Sequence, residues 1–222
     1  MRKLIAKHMI ESRRTSAHVH CMYEVDFTRI VNLRGKHKNG FEQRHGVRLT
    51  FMPFFVRAAI MALQQWPIIN ASLEGDNIRY HRNINVGIAV ALDWGLIVPV
   101  IKNAEEKNFL GIARTMNDLA ERARAKKLKP EEVAEGTFAI TNPGVFGGLF
   151  GLPVINQPNV AILCTDGITR RPVAAGDAIA IHHTGILGFS YDHRAFDGST
   201  ASLFLRHIRD AIQDRNWETE LS

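Results

Sequence analysis

The 222 residues are 45% hydrophobic and 23% charged, fractions of an ordinary globular chain that exclude a disordered, collagenous or low-complexity one. The 28 Lys and Arg against 22 Asp and Glu leave a formal charge of +6, which suits an anionic partner without naming one: nucleic acid, a phosphorylated cofactor and an acidic protein all fit. Two cysteines, Cys21 and Cys164, rule out a disulfide framework or a zinc knuckle, and no apolar run reaches the ~18 residues that span a membrane.

In chain order, Leu4, Ile5, His8 and Met9 recur at helical spacing over residues 2–14. A strand is expected over 19–27, then a helix begun by Ile30, Val31 and Leu33 with Thr28 as its N-cap. Residues 35–48 are polar and basic and read as a solvated stretch. Residues 49–66 predict a buried helix, apolar almost all round, with Pro53 in its first turn and Pro67 at its end. Strands are expected over 78–80, 84–91 and 96–101, with Asp93-Trp94-Gly95 turning between the last two. Phe109, Ile112, Met116, Leu119 and Ala123 mark an amphipathic helix that ends in the basic run Arg122, Arg124, Lys126, Lys127 and Lys129. Strands follow over 137–142, 160–163, 178–182 and 185–191, with a glycine-rich loop at 143–151 and a last helix from Ser199. The order is too irregular for a βαβ array, so one α/β domain with a mixed β-sheet and helices packed on it is expected.

Two segments carry chemistry. In Tyr191-Asp192-His193-Arg194-Ala195-Phe196-Asp197-Gly198, a histidine leaves an apolar strand just before a helix cap, where a side chain with a near-neutral pKa serves as a general base. In Thr137-Phe138-Ala139-Ile140-Thr141-Asn142, a strand ends in hydroxyl and amide groups ahead of the glycine-rich loop. That loop lacks the Gly-Lys-Ser/Thr ending of a phosphate-binding loop. Taken alone, each segment also suits a structural turn.

Their order and surroundings resemble the catalytic core domain of the dihydrolipoamide acyltransferases of 2-oxoacid dehydrogenase complexes, relatives of chloramphenicol acetyltransferase. Arg2-Lys3-Leu4-Ile5-Ala6, Glu24-Val25-Asp26, Phe51-Met52-Pro53-Phe54-Phe55, Asn70-Ala71-Ser72 and Asn85-Val86-Gly87-Ile88-Ala89-Val90 resemble family blocks. So do Gly95-Leu96-Ile97-Val98-Pro99-Val100, Gly136-Thr137-Phe138, Pro153-Val154-Ile155-Asn156 and Ala161-Ile162-Leu163. Residues 191–198 match the family's H-x-x-x-D-G motif, and the likeness runs through essentially the whole chain.

The resemblance implies a chloramphenicol acetyltransferase-like two-layer sandwich that moves an acyl group between dihydrolipoamide and coenzyme A. It makes His193 the base, Thr141 the oxyanion donor and Asp197 a positioning residue, helped by its neighbour Arg194. It assigns coenzyme A contacts to Arg34, Thr50 and Asn142, and implies that Thr141 and His193 meet across a subunit interface. It also implies a homotrimer, possibly built into a cubic or dodecahedral core. The lipoyl group and the contacts to 2-oxoacid decarboxylase and dihydrolipoamide dehydrogenase would come from lipoyl and subunit-binding domains outside these 222 residues. Residues 140–147 lean toward a succinyl rather than an acetyl or branched-chain substrate, although no basic residue stands out as a partner for a succinyl carboxylate. Cytoplasm is the expected location, or the mitochondrial matrix in a eukaryote. Neither a metal nor nucleic acid is expected. The alternative is a non-catalytic core scaffold.

Overall fold

A computed structural model describes residues 2–221. Helix α1 (Arg2–Thr15) buries only Ser12. Strand β1 (His18–Asp26) leads into α2 (Thr28–His45), which runs through the stretch expected to be solvated. Gly35 and Gly40 lie on it with nothing packed within 4 Å, while Ile30 and Phe41 anchor the helix to the core. Gly46, left-handed at φ 66°, stops it by returning its N–H to the Glu42 carbonyl. Thr28 is not the cap: Phe27 holds that position, and the Thr28 hydroxyl instead accepts the His183 N–H at 2.9 Å.

Helix α3 (Met52–Gln65) is the buried helix its composition predicts, ended by the Pro67 turn. Strands β2 (Ala71–Glu74) and β3 (Asn77–Tyr80) form a small hairpin. The next two expected strands each break in two, giving β4 (Val86–Ile88), β5 (Val90–Leu92), β6 (Gly95–Ile97) and β7 (Val100–Ile101). β5 and β6 leave the main sheet as a separate hairpin turning at Asp93 and Trp94. Helix α4 (Phe109–Arg124) follows, with Asn108 capping it through the Gly111 N–H. Then come β8 (Phe138–Thr141), β9 (Ala161–Thr165), β10 (Thr169–Ala175), β11 (Ala178–Asp192) and α5 (Gly198–Asp214). The strands expected at 178–182 and 185–191 are one 15-residue strand.

The main sheet is mixed, in the order β1-β11-β9-β8-β4-β7, with β10 paired to the first half of β11. β8 runs parallel to both β4 and β9, and the other pairs are antiparallel. One face packs on α3 and α5 through Phe138, Ile140, Leu163, Leu187, Phe189 and Phe204, all fully buried. Burying each such side chain contributes about 1.5–3 kcal/mol. Trp217, also buried, closes the core with its ring 5.3 Å from Phe54 and its Nε1 donating to the Ala211 carbonyl at 3.0 Å. The opposite face carries a smaller cluster, Ala139, Ile155 and Ile162. There the extended chain near Ile155 is pinned from both sides. Its carbonyl accepts from Ser12 Oγ at 2.6 Å, and its N–H donates to His18 Nε2 at 3.1 Å.

Candidate active site

The loop that carries His193 is held from below. Asp192, the last residue of β11, is buried to 2% exposure. Its carboxylate accepts from the Ala17 and Arg194 N–H groups, both at 3.1 Å, and from the Arg194 guanidinium at 2.7 Å. Burial pushes this carboxyl up, but the Arg194 ion pair and the backbone donors outweigh it and hold it below the usual carboxylate range. His193 follows, its N–H donating to the Ala17 carbonyl at 2.9 Å and its ring exposed. That ring stands 5.8 Å from the ring of Tyr191, which stacks in turn on Phe189 and Phe196. An aromatic pile from the core therefore supports an exposed imidazole.

Asp197 lies across the turn as the N-cap of α5. Its Oδ1 accepts the Thr200 N–H at 2.9 Å and the Ser199 hydroxyl at 2.8 Å. These bonds, the backbone one first, hold its carboxyl below the usual range. The expected bond between Arg194 and Asp197 is not there, because Arg194 is taken by Asp192. Asp197 shapes the loop by starting the helix.

The second cluster lies at the other end of the sheet. Thr141 ends β8 half-buried, its carbonyl accepting from Thr165 Oγ1 at 3.5 Å. Asn142 folds its Oδ1 onto the Gly144 N–H at 3.0 Å and sets its Nδ2 3.4 Å from Met52 Sδ. Gly144 is forced: a Cβ there would sit 2.3 Å from the Asp166 carbonyl carbon. Met52 opens α3, directly after Thr50 and Phe51. Arg34 lies over this segment, donating from Nε to the Leu49 carbonyl at 2.8 Å with its guanidinium 4.9 Å from the Phe51 ring centroid. Among the described residues the terminal amino groups of Arg34 have no hydrogen-bond partner, and Thr50 is exposed beside it.

The six residues singled out by sequence thus fall into two groups: Thr141, Asn142, Thr50 and Arg34 together, and His193 with Asp197 apart. Register gives the distance between them. Thr141 pairs with Cys164 and Cys164 with Gly188, and His193 comes five residues further along β11. That is roughly 17 Å along the strand and roughly 10 Å across two strand spacings. Groups that share one reacting atom must lie about 3 Å from it. One chain does not bring His193 and Thr141 to the same atom. Sequence reasoning missed the role of Asp192, although an Asp two residues before an Arg at a strand end was a usable signal. Among the described residues no three His, Cys, Asp or Glu side chains converge as metal ligands, and no helix is long and apolar enough to cross a membrane.

Comparison with known proteins places the chain in a family. The succinyltransferase component of the 2-oxoglutarate dehydrogenase complex of Cupriavidus necator is 41% identical over 214 residues, 96% of this chain and 51% of that protein. The human mitochondrial counterpart is 42% identical over 216 residues, 96% of this chain and 48% of its own. The chain therefore spans about half the length of the curated relatives it matches. A crystal structure of a probable dihydrolipoamide acetyltransferase from Listeria monocytogenes superposes with a TM-score of 0.93 at 41% identity, covering 97% of this chain and 93% of that one. Chloramphenicol acetyltransferase shares the fold, with a TM-score of 0.58 at 15% identity over 93% of this chain and 94% of its own. Residues 1–219 match the family described as 2-oxoacid dehydrogenases acyltransferase (catalytic domain), and the chain belongs to it.

Proposed function

We propose that the chain transfers an acyl group between dihydrolipoamide and coenzyme A, at a site assembled from two copies. The observation that carries this reading is the split of the candidate residues between opposite ends of one sheet. A trimer in which one chain's His193 end meets the next chain's Thr141 end makes each site whole. Val145, Phe146, Leu149 and Phe150, large apolar side chains exposed beside the Thr141 cluster, supply a surface for that contact.

In such a site His193 takes the proton of the coenzyme A thiol, which at a pKa near ~8.5 is mostly protonated at pH 7. The thiolate sulfur attacks the acyl carbon of the dihydrolipoyl thioester. The Thr141 hydroxyl of the neighbouring copy donates to the resulting oxyanion, a contribution of about 3 kcal/mol in comparable sites. The carbon–sulfur bond to the lipoyl arm then breaks, and the departing thiolate regains the proton from His193. The buried Asp192–Arg194 pair and the Asp197 cap fix the loop on which His193 stands. Arg34, with free terminal amino groups, suits a phosphate of coenzyme A, and Thr50 and Asn142 line the same path. Cys21 and Cys164 are unsuited to covalent catalysis, because burial raises their thiols to about 11 and about 12.

We assign the lipoyl group and the contacts to partner enzymes to other domains of the assembly. Succinyl is the favoured acyl group, supported by the names of the curated relatives. The test is transfer to free dihydrolipoamide from acetyl-, succinyl- and isobutyryl-coenzyme A in parallel. Succinyl preference is expected. Preference for another acyl group overturns the substrate assignment, and silence with all three from an intact oligomer overturns the enzyme reading in favour of a scaffold.

A further inference from the structure

The β5–β6 hairpin and the end of α4 line an open surface pocket that the acyl-transfer reading does not use. Its volume of about 430 Å³ lies in the range of small-molecule sites. Trp94, Ile97, Ala123 and Leu128 form apolar walls, and Lys126 is the one charged lining residue. The Lys126 ammonium stands 5.7 Å from the Trp94 ring centroid.

The backbone at Lys126 is unusual. Helix α4 closes with the Lys127 N–H on the Arg122 carbonyl at 2.8 Å and the Lys126 N–H on the Ala123 carbonyl at 3.1 Å. This places Lys126 at the left-handed position of the cap, with φ at 56°, where glycine is the usual residue. A lysine there carries a conformational cost, and its side chain extends over the indole. The surrounding charge points the same way. Arg122 is paired with Asp118 and Glu132, but Arg124, Lys126, Lys127 and Lys129 have no ion-pair partner among the described residues. Of that basic run, Lys126 is the member that lines the apolar pocket.

We propose that this pocket binds a small amphipathic organic anion, with an aromatic or aliphatic body between Trp94, Ile97 and Leu128 and a carboxylate on Lys126. The inference is independent of the catalytic reading, since neither His193 nor Thr141 touches the pocket.

The experiment is equilibrium dialysis of 2-naphthoate against the intact oligomer, with the neutral isostere 2-naphthamide as control. Saturable binding of one 2-naphthoate per chain is expected, with the amide about tenfold weaker. Lys126→Gly weakens 2-naphthoate about tenfold and leaves the amide unchanged. Its Tm equals or exceeds that of the parent, because glycine suits the left-handed position. Trp94→Leu weakens both ligands. Absence of saturable 2-naphthoate binding up to about 1 mM, equal affinity for acid and amide, or full affinity in Lys126→Gly overturns the proposal.

Discussion

If each site takes His193 from one chain and Thr141 from the next, two inactive variants restore one another when mixed. His193→Ala removes the proposed base, and Thr141→Ala removes the proposed oxyanion donor. The expected losses are about 10²–10⁴-fold and about 10²–10³-fold respectively. In a randomly mixed trimer, a site is intact when its histidine comes from a Thr141→Ala chain and its threonine from a His193→Ala chain. At equal amounts about one quarter of sites meet that condition, and at a 1:3 ratio about three sixteenths do. The separation of roughly 20 Å between the two residues within one chain, from strand rise and spacing, is what makes the exchange necessary. The assay is joint unfolding and reassembly of the two variants, followed by chromatographic measurement of acyl-dihydrolipoamide. Recovery to about 25% of parental activity is expected, against about 1% or less for either variant alone. A mixture no more active than the mean of its components would refute the two-copy site, because a single-chain site always retains one lesion.

Further expectations concern the scaffold. Gly188→Ala places a methyl 2.5 Å from the Gly151 carbonyl oxygen. It is expected to cost about 2 kcal/mol and to lower Tm by about 4–8 °C in a thermal melt. Asp192→Asn is expected to cost about 1–3 kcal/mol at pH 7. The folded-state pKa of Asp192 is depressed, so its contribution is present above the unfolded value near ~3.9 and is lost as pH falls through the folded one. The Tm gap between parent and variant therefore narrows below about pH 4, and a gap constant from about pH 7 to 3 would contradict the assignment. Trp217→Ala removes a fully buried indole and its bond to Ala211, an expected loss of about 3–5 kcal/mol in denaturant titration.

The elements legible in the sequence were those whose side-chain pattern matches their burial, such as α3, α4, α5 and β9. β10 was hidden because Arg170, Arg171 and Pro172 argue against a strand, yet the sheet accepts them at an edge. β11 reads as two strands because His182, His183 and Thr184 interrupt its apolar run. In the fold the polar break is satisfied: His182 Nδ1 meets the Asp26 carboxylate, and the His183 N–H meets Thr28. At the candidate site, residue types and loop positions were readable from motif order. The resemblance already implies that His193 and Thr141 come from different chains, but their distance within one chain depends on the register of β8, β9 and β11, which no local pattern specifies. The expected pairing of Arg194 with Asp197 fails for a similar reason. Asp192 and Asp197 are both near in sequence, and only the backbone turn decides between them.

β11 lies between β1 and β9, and residues 18–26 find their sheet partner, among the described residues, only in residues 184–192. At ribosomal rates of about 5–20 residues per second, the nascent chain carries β1 with that edge unpaired for roughly ten to thirty seconds. Such an edge is a template for wrong pairing with other chains. The strand that closes it is also the one that ends at His193, so sheet closure and placement of the imidazole are one late event. Truncated products of interrupted synthesis are then both adhesive and without the histidine loop, a burden that falls to chaperones and proteases.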